Sequence, residues 1–156
     1  MEPVTHLRLK SLKYVQANIS CRPQGFQVAN SLISSLTYAW AGVTYAFTTQ
    51  RNFRIHLVIA SLALSLDIHL GLSLVETAII CLTIGAVLMM ELLNTALEAV
   101  VDLSVGQTYH LLAKIAKDCA AGAVLVSALI AVVVAGCLIW PPLALEINQT
   151  IAAISS

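Results

Sequence analysis

CAAGAVLVSALIAVVVAGCLIWPPLAL, residues 119–145, contains no charged residue and no histidine. About 20 apolar residues in a helix cross the hydrocarbon core of a bilayer, so this stretch reads as a transmembrane span. Trp140 is an interfacial anchor type, and Pro141 and Pro142 cannot donate to a helical ladder, so the span is expected to end near Trp140. The whole chain agrees in character: its 156 residues are 59% hydrophobic and only 10% charged, with a mean hydropathy of +0.89. That balance belongs to an integral membrane protein rather than a soluble domain.

Working towards the N-terminus, a second span runs from Val75 through Met90, where ETAIICLTIGAVLMM passes directly into ELLNTALEAVVD, Glu91 to Asp102. A shorter span precedes it: the uninterrupted apolar part, Leu57 to Leu66, covers about 15 Å as helix, with Asp67 and His69 near its outer interface. The spans are expected over about residues 54–74, 75–102 and 117–140. Arg8, Lys10, Lys13, Arg22, Arg51 and Arg54 precede the first span, while Lys114 and Lys117 lie between the second and third. All the basic residues then fall on one side, which the positive-inside rule assigns to the cytoplasm. The protein is therefore expected in the inner or plasma membrane, crossing it several times, with a cytoplasmic N-terminus.

Residues 26–50, FQVANSLISSLTYAWAGVTYAFTTQ, are uncharged but patterned. Phe26, Ala29, Ile33, Leu36, Trp40, Val43 and Phe47 recur at helical spacing with polar residues between them, which predicts an amphipathic helix in the membrane interface; a fourth span is the competing reading, against which ten of the 25 residues are Gln, Asn, Ser or Thr. Residues 1–25 and 143–156 read as tails on a membrane domain covering 26–142. The four cysteines, Cys21, Cys81, Cys119 and Cys137, lack paired spacing and predict neither disulfides nor zinc. Eight basic residues balance eight acidic ones, so net charge offers no ground for nucleic-acid binding. Ala123, Ser127, Ala131 and Ala135 make a small-residue ridge that lets another helix approach closely. Three spans bury little by themselves, which points to a homo-oligomer.

The chemistry gathers at the polar end of the second span. At 100° per residue, Asn94, Glu98 and Asp102 lie at about −60°, −20° and +20° from Glu91, a single stripe. A carboxylate at membrane depth costs about 2.5 to 3.5 kcal/mol on insertion scales and persists where it binds ions, moves protons or pairs with cations. In the next helix His110, Lys114, Lys117 and Asp118 share a face, so ion pairing between the two helices competes with a functional role. An acidic stripe facing lysines also suits a phosphate with its magnesium, which takes oxygen ligands. There is no GxxxxGK[ST] loop and no GxGxxG to cradle a nucleotide.

ELLNTALEAVVD, the pair Tyr109 and His110, and AKIAKDCAAGAVL together resemble the signature of the prokaryotic diacylglycerol kinase and undecaprenol kinase family. The likeness extends upstream to YAWAG, residues 38–42, and RNFRIH, residues 51–56. It implies a homotrimer of three-span protomers, each with an N-terminal surface helix, and composite active sites between protomers at the cytoplasmic edge. It also implies ATP and Mg²⁺ as co-substrate and cofactor. Glu91 would be the general base on the lipid hydroxyl, with Trp40 also near the lipid, and Asn94 would position substrate or base. Glu98 would hold the metal that bridges the ATP phosphates, and Tyr38, His110, Lys117 and Asp118 would surround the nucleotide. Family members usually place a second metal-binding glutamate where this chain has Gln50, and some carry an arginine where it has Ser31. The expected reaction is phosphorylation of diacylglycerol; the alternatives are undecaprenol as substrate, or a catalytically inactive relative that binds lipid. His56, His69 and His6 are read as interfacial or solvated.

Overall fold

A computed structural model describes residues 31–106 and 108–155. Cys21, the first residues of the amphipathic segment and the N-terminal tail lie outside these. The described residues form helices and no strand: α1 (Leu32–Thr49), α2 (Arg51–Leu70), α3 (Leu74–Val105) and α4 (Leu111–Ile154). The chain divides into two compact units, one ending at Ala39 and the other running from Trp40 onward. All three spans and every inter-helix contact below belong to the second unit.

Three helices, α2, α3 and α4, are long and apolar enough to cross a membrane, and α1 is not among them. Within α1, Thr37, Thr44, Thr48 and Thr49 turn their hydroxyls back onto carbonyls one turn earlier, at 2.8–2.9 Å. Each of these hydroxyls is thereby satisfied inside its own helix. The Ser31 hydroxyl accepts from the Ser34 N–H at 3.2 Å, the pattern of an N-cap, so this residue starts the helix.

The α2–α3 hairpin is closed by local chemistry. Gly71 ends α2 at φ +63°, a left-handed conformation that glycine adopts at no steric cost, and its N–H returns to the Ile68 carbonyl at 3.3 Å. Ser73 then opens α3 with a capping box: its hydroxyl accepts from the Glu76 N–H, and the Glu76 carboxylate accepts from the Ser73 N–H at 2.8 Å. Asp67, in the last turn of α2, is buried, its Oδ1 accepting from Thr77 Oγ1 at 3.0 Å. That bond ties the last turn of α2 to the first turn of α3.

At the opposite end, Arg54 Nη1 donates to the carbonyls of Phe47 and Thr48, both at 3.0 Å. These are among the orphan carbonyls that end α1, so Arg54 acts as a C-terminal cap for the preceding helix.

One expectation fails clearly. α4 does not stop near Trp140 but runs through Pro141 and Pro142 to Ile154. Proline's fixed φ is itself helical; what it costs is one N–H at each position and crowding of its ring against the carbonyl one turn earlier. Two missing bonds interrupt the ladder without forcing the chain to turn. At 1.5 Å per residue, α4 is about 66 Å long, roughly twice the hydrocarbon thickness, so its ends must project beyond the core. Beyond the prolines, Glu146 Oε1 meets His69 Nε2 at 3.1 Å, fastening the extension to the end of α2. His69 is thus paired as well as exposed.

α3 packs mainly against α4 and secondarily against α2, which also touches α4. Only 17%, 17% and 11% of the most apolar stretches of α2, α3 and α4 are buried within the chain, so most of each span faces outward. Ala131 and Ala135 of the small-residue ridge line an apolar cleft of about 140 Å³, together with Ala60 and Ala63 of α2 and Ile80 and Val87 of α3. Cys81, Cys119 and Cys137 are free thiols.

Candidate active site

The carboxylate stripe lies in the second half of α3, whose helix continues unbroken past its apolar half. Glu91 is only 2% exposed. Its Oε1 is sealed from solvent without an aligned hydrogen-bond donor, and the nearest ionisable group is His56 of α2, whose Nε2 stands 3.3 Å away. This corrects the expectation that His56 is interfacial or solvated: its side chain is 20% exposed and turned to the buried carboxylate. The reason is register. Folding the chain about the Gly71–Ser73 turn brings residue 56 to the depth of residue 91, and a histidine within an apolar helix finds its lowest energy against the one carboxylate at that depth.

One turn further along α3, Asn94 Nδ2 donates to Glu98 Oε1 at 3.1 Å. Asn94 Oδ1 is buried and has no partner. The amide is therefore oriented by Glu98, leaving its carbonyl as an unused acceptor in a site already poor in donors. Thr95 turns its hydroxyl onto the Glu91 carbonyl at 2.9 Å and is spent locally.

Further towards the end of α3, Asp102 Oδ1 meets Lys117 Nζ of α4 at 2.5 Å. Lys114 pairs with Asp118 one turn along α4. The ion pairing between the two helices read from the sequence as the competing role therefore exists for Lys117, whereas Lys114 pairs within its own helix. Both pairs are exposed, where such contacts contribute little stability and exchange readily for another anion. His110 caps α4, its Nδ1 accepting from the Leu112 N–H at 3.3 Å. Asp102, Tyr109, His110, Lys114, Lys117 and Asp118 line one open hollow of about 400 Å³. Gly106, at φ +57°, turns the chain out of α3 at its rim.

The remaining expected residues stand apart. Gln50 immediately precedes α2 and makes no side-chain capping bond. It lies six residues before His56, while Glu98 lies seven beyond Glu91; the two offsets are about 9 and 10 Å towards the same end, so Gln50 and Glu98 share a depth. Trp40 is 73% exposed, and no hydrogen bond among the described residues joins its side chain to the stripe. Tyr38 belongs to the unit ending at Ala39 and is partly exposed on α1.

Among the described residues no group of three His, Cys, Asp or Glu side chains converges as a metal cage. A magnesium ion held partly by substrate phosphates does not need one. The donor set suits it: Glu98 offers carboxylate oxygen and Gln50, uncommitted to capping, a neutral amide oxygen at the same depth, with no sulfur or imidazole in the stripe.

Residues 37–139 match the model of the family described as prokaryotic diacylglycerol kinase. The chain belongs to that family. Within the prokaryotic diacylglycerol kinases it is 57% identical over 122 residues to a diacylglycerol kinase of Synechocystis sp., covering 78% of this chain and 70% of the relative. An undecaprenol kinase of Bacillus subtilis is 42% identical over 113 residues, 72% of this chain and 90% of its own. A diacylglycerol kinase of Escherichia coli K12 is 32% identical over 109 residues, 70% and 88% respectively. The protein is accordingly a membrane lipid kinase, moving a phosphoryl group from ATP to an alcohol.

Proposed function

We propose that this kinase phosphorylates the hydroxyl of diacylglycerol, giving phosphatidic acid, at the cytoplasmic edge of the inner or plasma membrane. The observation that carries the site is the α3 stripe: a buried Glu91 followed one turn later by an Asn94 amide oriented by Glu98. Diacylglycerol ranks before undecaprenol because the Synechocystis diacylglycerol kinase is the more similar of the two kinds of relative.

In this reaction Glu91 takes the proton from the lipid hydroxyl as its oxygen forms a bond to the γ-phosphorus of ATP. The bond from that phosphorus to the bridging oxygen breaks, and ADP leaves with the electron pair. Burial keeps water, the competing nucleophile, away from Glu91. Asn94 presents its carbonyl oxygen to the reacting groups. Glu98, with Gln50 at the same depth, would hold Mg²⁺, which when bound spreads the negative charge of the phosphates. Lys117 and Asp118, with His110 and Tyr38, would receive the nucleotide, Lys117 exchanging its Asp102 partner for phosphate. The proposed assembly is a homotrimer with composite sites.

The test is ATP-dependent phosphorylation of diacylglycerol and of undecaprenol in mixed micelles with Mg²⁺, wild type beside Glu91→Gln. Turnover of diacylglycerol by wild type and a loss of at least about 100-fold in Glu91→Gln are expected, the scale of general-base catalysis. Preference for undecaprenol would reassign the substrate, and full turnover by Glu91→Gln would reassign the base.

A further inference from the structure

Among the described residues, the Glu91–His56 pair joins the stripe on α3 to α2. Of the two Glu91 oxygens, Oε1 is sealed within the protein, so no lipid hydroxyl can reach it. A base that uses a single oxygen needs the other held, because a carboxylate free to rotate about its Cγ–Cδ bond presents its reactive lone pair only part of the time. The group facing the sealed oxygen is His56 Nε2, at 3.3 Å, close enough that a small rotation of the ring aligns an N–H with it. Such bonds are often loose without substrate and tighten in the reacting complex.

The surroundings give His56 no other employment among the described residues. It lies on α2 with its ring at the edge of the apolar cleft lined by Ile59, Val87 and Ala128, where no other carboxylate stands. Glu98 lies two turns further along α3 and is occupied with Asn94.

We propose that His56 is the positioning residue of the catalytic base: its Nε2–H holds Glu91 Oε1 and thereby directs Oε2 at the lipid hydroxyl. His56 does not touch substrate and takes no proton from it. The inference rests on the proposed role of Glu91 as base.

A matched pair of substitutions tests it. In His56→Gln the side-chain amide nitrogen occupies roughly the place of Nε2 and keeps the donor, whereas His56→Asn is equally polar but one bond too short to reach Glu91. Each variant is purified in its assembled form and assayed for lipid phosphorylation at saturating and limiting lipid and ATP, beside Glu91→Gln. The expected result is a fall in kcat of about 10- to 100-fold for His56→Asn, the value of a hydrogen bond to a charged group, with both KM values within about twofold. His56→Gln is expected to stay within about threefold of wild type. A merely structural histidine would not separate the two amides. Equal activities of the Asn and Gln variants, a loss carried by KM, or an assembled but inactive His56→Gln would each overturn the proposal while an inactive Glu91→Gln leaves the base in place. Full turnover by Glu91→Gln would overturn the base assignment and the inference with it.

Discussion

Gln50 stands where the resemblance expects a carboxylate, at the depth of Glu98 and with no capping bond to occupy it. An amide carbonyl carries no formal charge and binds a hard cation more weakly than a carboxylate does. Gln50→Glu is therefore expected to lower the Mg²⁺ concentration for half-maximal activity by about 3- to 10-fold, with little change in kcat at saturating Mg²⁺. Titration of lipid phosphorylation with Mg²⁺ reads this directly, and an unchanged midpoint would remove Gln50 from the metal site. The stripe of Glu91, Asn94 and Glu98 is legible from sequence because all three lie on one helix, where 100° per residue fixes their common face. The role of His56 is not, since its partner lies across a hairpin and periodicity within a single helix carries no information about such a pair. The available signal is the Gly71–Ser73 turn, about which the two helices can be folded to equal depth.

The helices are legible where apolar length decides and less so at their ends, where individual groups do. The α2–α3 hairpin depends on the Ser73–Glu76 capping box, whose loss leaves an orphan N–H in the first turn of α3. Ser73→Ala is expected to cost about 0.5 to 2 kcal/mol of stability, the range for a lost N-cap, seen as a lower thermal midpoint in detergent, with kcat of the folded enzyme unchanged. The far end of α4 is misread from sequence because two prolines look like stops, although their backbone angle suits a helix and the missing donors and the ring's crowding of the preceding turn do not end it here. The family match ends at residue 139 and no proposed site residue lies beyond it. Deleting residues 141–156 is therefore expected to leave kcat within about twofold, since the extension is fastened to α2 by the exposed His69–Glu146 pair, worth about 0 to 1 kcal/mol. A loss of more than tenfold would give the extension a part in assembly or catalysis.

For the molecule as a whole, the distances along α3 set a requirement. Glu91 and the Asp102–Lys117 pair are about 16 Å apart along the helix axis, so a phosphate receiving the lipid oxygen near Glu91 is out of reach of Lys117 at its paired depth in the same chain. A ring about the membrane normal repeats each residue at one depth, so Lys117 of any protomer stands this far along the axis from Glu91, and a nucleotide that meets both must stretch along it; the outward-facing surface of all three spans leaves room for neighbours. In the proposed composite site the stretched nucleotide runs between two protomers. Mixing two separately inactive chains, Glu91→Gln and Asp118→Asn, then decides it. If Glu91 acts with Asp118 of another protomer, co-assembly at equal amounts after dissociation and reassembly leaves about one site in four with both natural residues, a consequence of the repeated heterologous interface in a ring. Activity should recover to about a quarter of wild type. If both residues serve the same chain's site, no protomer in the mixture carries both, and activity stays at the level of the two inactive parents.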